Sequence, residues 1–202
     1  LMIISACGDS DRLDVIHLSG QDCIISSDTK WTNGNIYVVH DSMIIENVTL
    51  TIEAGTIVKI ARNQDGNVIA QPFIIRGNTG MIKAIGTEKN HIVFTCFTDD
   101  SIAGDTNGDS SLTLPARGEW GHIFINASSD TAVSEFAYCD FCYGGDSNYE
   151  TGAMLDVQFA IAEVDHCTFA HSEHAGLDIM DAEKATTVTN NVFYDNSKPM
   201  WM

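Results

Sequence analysis

A short apolar run, a Gly or Asn turn and a second short apolar run recur along this chain. Early copies of the run occupy residues 48–52, 56–60, 73–75, 91–95 and 122–125. The last three copies end on Phe141, Phe169 and Phe193, at intervals of 28 and 24 residues. A loosely constant spacing is typical of stacked structural repeats, in which each repeat buries its apolar face against the next. The pattern therefore predicts stacked repeats rather than one irregular sheet.

The apolar runs are predicted to be β-strands, because they are too short for helices and rich in β-branched residues. In the run 48–52 the apolar residues alternate, so Val48, Leu50 and Ile52 should face the core while the threonines between them face solvent. We find no amphipathic helix of ten or more residues. An all-β chain with about 20 to 28 residues per three-strand turn indicates a β-solenoid.

The charge of the chain limits the classes of partner. Its 202 residues carry 10 basic and 28 acidic side chains, a formal charge of −18, and 44% of them are hydrophobic, enough for a sizeable core. Such a balance argues against binding to nucleic acid or to an anionic bilayer surface, and it makes divalent cations reasonable counter-ions. Alternatively, the acidic surface serves only to keep an extracellular protein soluble.

The first residues predict a truncated signal peptide. An apolar segment ends in the small residues Ser5 and Ala6 directly before Cys7, and a polar tract follows. This resembles a bacterial lipobox, in which Cys7 would be lipidated after cleavage and would anchor the protein at the outer membrane or cell surface. A buried N-terminal strand is the alternative. The predicted domains are a signal-peptide remnant (1–6), the lipobox cysteine with a tether or capping segment (7–30), and the repeat domain (31–202).

Three longer segments, 48–60, 82–95 and 99–121, resemble the right-handed parallel β-helix repeat proteins found as bacterial surface and secreted lipoproteins. The similarity covers roughly residues 31–202. It implies an all-β, right-handed parallel β-helix whose interior ladders stack like residues from coil to coil. The chain stops just after a repeat without a polar cap, so we expect the N-terminal part of a longer solenoid, incomplete at its C-terminus. The expected ladders are Cys139, Cys167 and Asn191, and Phe141, Phe169 and Phe193.

An acidic loop is the strongest candidate site. Asp105, Asn107 and Asp109 alternate as D-x-N-x-D, so their oxygens can converge on a hard cation, and Gly108 allows the loop to wrap. The loop is not an EF-hand, since the twelfth position and the flanking helices do not fit. It predicts a Ca²⁺ site; the alternative is an Asx-turn loop that needs no metal. The candidate ligands are Asp99, Asp100, Asp105, Asn107, Asp109 and Glu119.

The sequence favours binding over catalysis. Many parallel β-helices are polysaccharide lyases or hydrolases, but only Lys184 and Lys198 are basic after Arg117, which weakens the case for a lyase base. Aspartates of the later coils, such as Asp156 and Asp178, leave a hydrolase open. No catalytic residue is assigned.

The first hypothesis is therefore a non-enzymatic cell-surface lipoprotein whose β-helix binds a polysaccharide or another surface protein, as in adhesion. The alternative is a polysaccharide lyase or glycoside hydrolase with active residues partly beyond residue 202. Exposed aromatic side chains could stack on sugars. The candidates are Trp31, Tyr143, Tyr149 and Trp201.

Overall fold

The computed structural model describes residues 13–63, 65–146, 152–180 and 186–201. The predictions made for Cys7, the lipidation site, and for Tyr149, a candidate sugar-stacking residue, lie outside the described residues.

Twenty short strands make up nearly all of the regular structure described. The four-residue 3₁₀ helix Gly20–Cys23 is the one helix in these ranges, and no helix described is long and apolar enough to cross a membrane. The strands are β1 (Asp14–Leu18), β2 (Ile24–Ile25), β3 (Thr29–Trp31), β4 (Asn35–Val39), β5 (Met43–Glu46), β6 (Thr49–Ile52), β7 (Ile57–Ile60), β8 (Phe73–Gly77), β9 (Met81–Ile85), β10 (Ile92–Cys96), β11 (Ile123–Ala127), β12 (Val133–Ala137), β13 (Cys139–Cys142), β14 (Leu155–Gln158), β15 (Ile161–Asp165), β16 (Thr168–Ala170), β17 (Ala175–Met180), β18 (Thr187–Thr189), β19 (Val192–Tyr194) and β20 (Lys198–Trp201).

Every third strand joins the same sheet, which confirms the predicted parallel β-helix. Sheet A has the order β1-β4-β7-β10-β13-β16-β19, sheet B the order β2-β5-β8-β11-β14-β17-β20, and sheet C the order β3-β6-β9-β12-β15-β18. All the pairs are parallel, as between β10 and β13 or β13 and β16. Parallel neighbours require a crossover connection, and here the strands of the other two sheets provide it. Three strands thus make one coil.

Like residues stack inside the coils, as expected from the repeat spacing. Phe141 pairs with Phe169, and Phe169 with Phe193, with ring centroids 4.8 and 4.9 Å apart. The stack extends back to Phe94, 5.0 Å from Phe141, a member that the last three repeats did not reveal. Parallel in-register pairing places each ring directly over its equivalent in the previous coil, so one inward position per repeat becomes a continuous aromatic column.

The predicted cysteine ladder is also present in the interior. Cys139 and Cys167 are buried and free, so they pack as small apolar side chains. Asn191 extends this ladder, because its Oδ1 accepts a hydrogen bond from the Cys167 N–H at 2.7 Å. Its amide nitrogen donates to the carbonyl of Val164 at 2.9 Å. The side-chain amide therefore satisfies backbone groups of the preceding coil.

The first coil starts at Asp14, ahead of the boundary at residue 31 that the sequence predicted. β1 pairs in register with β4, β2 with β5, and β3 with β6. In β1 the polar residues Asp14 and His17 interrupt the apolar alternation, and their strand lies at the edge of sheet A. An edge strand has one neighbour in its sheet, so its side-chain pattern is less constrained than that of a central strand.

Candidate binding groove and acidic loop

The loop between β10 and β11, residues 97–122, is pinned to the coil by a buried lysine. Lys59 lies on the outward side of β7, yet it is fully buried beneath the loop. Its ammonium donates to the carbonyls of Asp99 at 2.9 Å and Gly104 at 3.2 Å, and to the Thr106 hydroxyl at 2.8 Å. Burial lowers the pKa of Lys59, and the nearby acid Asp99 opposes that shift. The loop thus packs over sheet A around one cation.

The structure brings three of the six predicted metal ligands together. Asp100, Asp105 and Asp109 each offer one carboxylate oxygen, and these oxygens lie within 4.8 Å of one another. Backbone N–H groups hold two of the carboxylates in place: Gly108 donates to Asp105 at 2.7 Å, and Leu112 donates to Asp109 at 3.0 Å. Hydrogen bonding, first of all from the Thr113 hydroxyl, lowers the pKa of Asp109. The loop's own donors thus hold both carboxylates in place.

Asp100 differs from its two neighbours. Both of its carboxylate oxygens are shielded from solvent, and neither has a hydrogen-bond partner among the residues described. A carboxylate removed from water without compensation is costly. Asp100 is thus the one member of the cluster whose placement the protein's own hydrogen bonds do not explain.

The other three predicted ligands have different partners. Asp99 is buried, and its carboxylate accepts hydrogen bonds from the hydroxyls of Thr95 at 2.7 Å and Ser101 at 2.5 Å. Glu119 forms an ion pair with Arg62 at 3.2 Å.

Asn107 stays within the loop but binds the loop itself. Its amide nitrogen donates to the Thr113 hydroxyl at 3.0 Å, and its oxygen accepts from the Asp109 N–H at 3.3 Å. The compact acidic cluster is thus smaller than the alternating sequence motif suggested.

A groove of about 430 Å³ runs between this loop and the outer face of sheet A. One wall comes from the loop, and the floor comes from outward residues of β10, β13, β16 and β19. Grooves of similar size lie at the N-terminal coil and beside Leu114. The groove beside Leu114 has its own pair of rings, since His40 meets Phe97 edge-on at 5.7 Å, but it contains no tyrosine among the residues described. Residues that line the sheet A groove include Asp99, Ile102, Asp140, Tyr143, His171 and Tyr194.

One aromatic ladder runs along the edge of this groove where the strands of sheet A end. Tyr143 stacks on His171 with centroids 5.0 Å apart and an interplanar angle of 10°. Tyr194 meets His171 edge-on at 5.5 Å and is 51% exposed. Tyr143 and His171 adopt left-handed backbone angles, with φ of 66° and 59°, at successive corners of the solenoid. The repeated corner geometry therefore superposes their rings.

A second ladder lies where the same strands begin. Tyr138 stacks on His166 at 4.8 Å, and His91 lies 5.7 Å from Tyr138. Nδ1 of His91 is 3.0 Å from the carboxylate of Asp140, an outward residue of β13. Sheet A is therefore bordered by rings on both sides, with polar side chains between them. Concave sites that combine aromatic surfaces with a few placed polar groups are typical of ligand-binding sites.

The candidate sugar-stacking residues occupy different places. Tyr143 lines the groove. The prediction of an exposed Trp31 is wrong: its ring is 4% exposed and stacks on Tyr37 at 4.3 Å, because position 31 of β3 points into the coil. Trp201 is 47% exposed, but it belongs to sheet B and has the Lys198 ammonium 3.8 Å from the centre of its ring.

Sheet B carries a separate cluster of buried polar groups on its outward side. Asp156 of β14 and Asp178 of β17 are in register and are 0% and 3% exposed. His122 is buried beside them, with Nε2 3.9 Å from an oxygen of Asp156. Burial lowers the pKa of His122 to about 4, so the imidazole is neutral at pH 7. Burial also raises the pKa of Asp178.

Sequence reasoning missed the histidine and tyrosine ladders, although the repeats contain them. Tyr138 and His166 both come three residues before a ladder phenylalanine, and Tyr143 and His171 both come two residues after one. Aligning the repeats on their phenylalanines would have shown both columns. The role of Lys59 could also have been suspected from the sequence, because it is a lone charged residue in a strand that is otherwise apolar.

The stacked coils and the three parallel sheets define the class of protein as a parallel β-helix solenoid. The sequence matches the family described as pectate-lyase-like beta helix domain over residues 23–198, and the chain therefore belongs to that family. No curated protein and no solved structure matches the chain. The family match begins inside the first coil, in agreement with a solenoid that starts ahead of residue 31.

Proposed function

We propose that this protein is a non-enzymatic β-helix that binds an extended, neutral glycan along the outer face of sheet A. The observation that carries the proposal is the groove edged by one aromatic ladder, on a sheet whose opposite edge carries a second ladder. Within the two ladders neighbouring rings lie 4.8 to 5.7 Å apart, so each ladder forms an apolar border across successive coils. Sugar rings have apolar faces that pack on such surfaces, and their hydroxyls find acceptors in side chains such as Asp140.

The charge of the molecule favours a neutral glycan over a uronate chain. The protein has a net charge of −18, and Asp99 and Asp140 line the groove itself. These carboxylates would repel an acidic polysaccharide but not a neutral one. A surface protein with a basic face is the other kind of ligand that the negative charge of this protein would attract.

Display at a cell surface is part of the same proposal. We propose that Cys7 carries a lipid anchor at a bacterial outer membrane or cell surface, on the basis of the lipobox-like residues before it. Labelling cells with a radioactive fatty acid should mark the protein, and Cys7→Ala should abolish the label. Unchanged labelling of the variant would refute the anchor without bearing on the groove.

Affinity electrophoresis against a panel of neutral and acidic polysaccharides tests the groove. We expect retardation by at least one neutral polysaccharide, and Tyr143→Ala should weaken it about tenfold, the effect of losing roughly 1.4 kcal/mol of ring stacking. Phe159→Ala is the matched control, because Phe159 lies in the turn after β14, does not line the groove and is 54% exposed. Equal retardation of both variants, or binding to acidic chains alone, would contradict the proposal.

A glycoside hydrolase is the second candidate, favoured by one observation. Asp156 and Asp178 face the same way on neighbouring coils, and strands in a sheet lie about 4.8 Å apart, close to the carboxyl spacing of retaining glycosidases. The raised pKa of Asp178 is what a general acid requires. Both side chains are buried, however, whereas the groove of sheet A is open, and for that reason we prefer binding.

The same polysaccharide panel separates the two candidates. Hydrolysis would release reducing ends, and a lyase would release unsaturated ends that absorb ultraviolet light. We expect neither product. Release of reducing ends that is lost in Asp178→Asn would replace the binding proposal with the hydrolase.

A further inference from the structure

We infer that the acidic loop holds a Ca²⁺ ion between Asp100, Asp105 and Asp109. This inference defines the predicted calcium site by three residues and excludes Asp99 and Glu119 from its ligands. The geometry of the three carboxylates and the buried oxygens of Asp100, which accept no hydrogen bond from the described residues, support it independently of any glycan.

The separation of the three oxygens fits calcium. Ca²⁺ binds oxygen at about 2.3–2.6 Å, so two ligands on one ion lie at most about 5 Å apart. The carboxylate oxygens of the cluster lie within 4.8 Å of one another. Mg²⁺, with bonds of about 2.0–2.1 Å, would need ligands within about 4.2 Å and a more regular octahedron. Three carboxylate oxygens within 4.8 Å of one another meet the distance limit for Ca²⁺, and its flexible coordination suits ligands from a loop.

Asp100 supplies the second and independent observation. Its two oxygens are buried and lack a hydrogen-bond partner in the part of the chain that the structure describes. Asx turns account for Asp105 and Asp109, which accept backbone N–H groups of the loop. They do not account for Asp100. An ion beside Asp100 would offset the cost of burying this carboxylate.

Lys59 does not fill the role of that cation. Its ammonium has three protons, and its three hydrogen bonds go to two carbonyls and one hydroxyl. None of these hydrogen bonds goes to the carboxylate of Asp100. Lys59 therefore pins the loop through its backbone carbonyls and one hydroxyl, and donates no hydrogen bond to the three carboxylates.

Calorimetric titration of the chelator-treated full chain with CaCl₂ tests the site. We expect one Ca²⁺ per chain, a higher melting temperature in CaCl₂ than in EDTA, and weaker binding of MgCl₂. Asp100→Asn preserves the shape of the side chain and should weaken Ca²⁺ binding at least tenfold. Asp105→Asn should do the same, which keeps the test decisive if one variant folds poorly.

Glu119→Gln is the matched control, because Glu119 belongs to the same loop but pairs with Arg62. It should bind Ca²⁺ like the unaltered protein. No heat and no change in melting temperature at millimolar CaCl₂ would overturn the inference. Wild-type affinity in folded Asp100→Asn, or loss of affinity in Glu119→Gln, would overturn the ligand assignment.

One consequence rests on the proposed function. Asp99 and Ile102 line the groove and belong to the loop that the ion would order. EDTA should therefore weaken glycan retardation in the wild type and leave Asp100→Asn unchanged. Calcium binding without any glycan binding would refute the proposed function alone, since the titration uses the metal by itself.

Discussion

Phe141 illustrates how neighbouring coils hold a single side chain. Its ring is fully buried between Phe94 and Phe169, with interplanar angles of 7° and 8°. Offset stacked rings gain about 0.5–1.5 kcal/mol beyond the burial of their area. Because each ring contacts the coil before it and the coil after it, removing one ring breaks two contacts of the column.

Phe141→Ala should therefore lower the free energy of unfolding by about 3–5 kcal/mol, the usual cost of a large cavity in a packed core. Urea denaturation followed by fluorescence measures the change. Phe159→Ala removes an exposed ring and should change stability by less than about 0.5 kcal/mol. A small loss for Phe141→Ala would show that the column can collapse around the missing ring.

At the scale of the element, the acidic loop depends on a single buried side chain. Lys59 belongs to the strand β7, and the acceptors that it binds are all in the loop. A buried ammonium is costly unless its hydrogen bonds are complete. The loop carbonyls complete them, so that strand and loop stabilise each other.

Lys59→Met keeps the length of the side chain but removes all three donors. It takes the donor away from the buried carbonyl of Asp99 and the part-buried carbonyl of Gly104, and we expect a loss of about 2–4 kcal/mol in the free energy of unfolding. Limited proteolysis should cut the variant faster between residues 101 and 114. Lys83→Met is the control: Lys83 pairs with Glu135 on the surface of sheet C, and such pairs contribute about 0–1 kcal/mol. Equal losses in both variants would argue against a special role for Lys59.

The whole molecule behaves as a stack in which each coil contacts its neighbours. In sheet A each strand pairs with the equivalent strand of the next coil, from β1 to β19. The interior ladders run in the same direction. In a solenoid, stability is approximately the sum of the stabilities of the coils and of the contacts between nearest neighbours. Central coils have two neighbours and the coils at either end of the described stack have one.

Hydrogen exchange should show that local stability is highest in the central coils and lower in the coils at the ends of the described stack. Amides of β10 and β13 should exchange most slowly, because they are paired on both sides, and amides of β19 should exchange faster by local opening. Mass spectrometry of peptides after exchange measures the rates. Equal protection of β13 and β19 would indicate a single cooperative unit instead.

The sequence by itself determined the repeat, the strand class and the interior columns. Phe141, Phe169 and Phe193 recur at intervals close to one coil, and in-register stacking of parallel strands converts that recurrence into contact. The side chains of a periodic apolar pattern can be buried in only a few arrangements. The pattern therefore predicts the fold even though the sequence does not show which distant residues are in contact.

Only the tertiary structure decided what lies on the outside of the coils. It separated Asp100 from Asp99, which the sequence treated alike, because one carboxylate meets two hydroxyls and the other meets none. It buried Trp31, and it aligned Tyr143 with His171 across 28 residues of sequence. Outward side chains follow no burial period, so their partners depend on which loop folds over which strand.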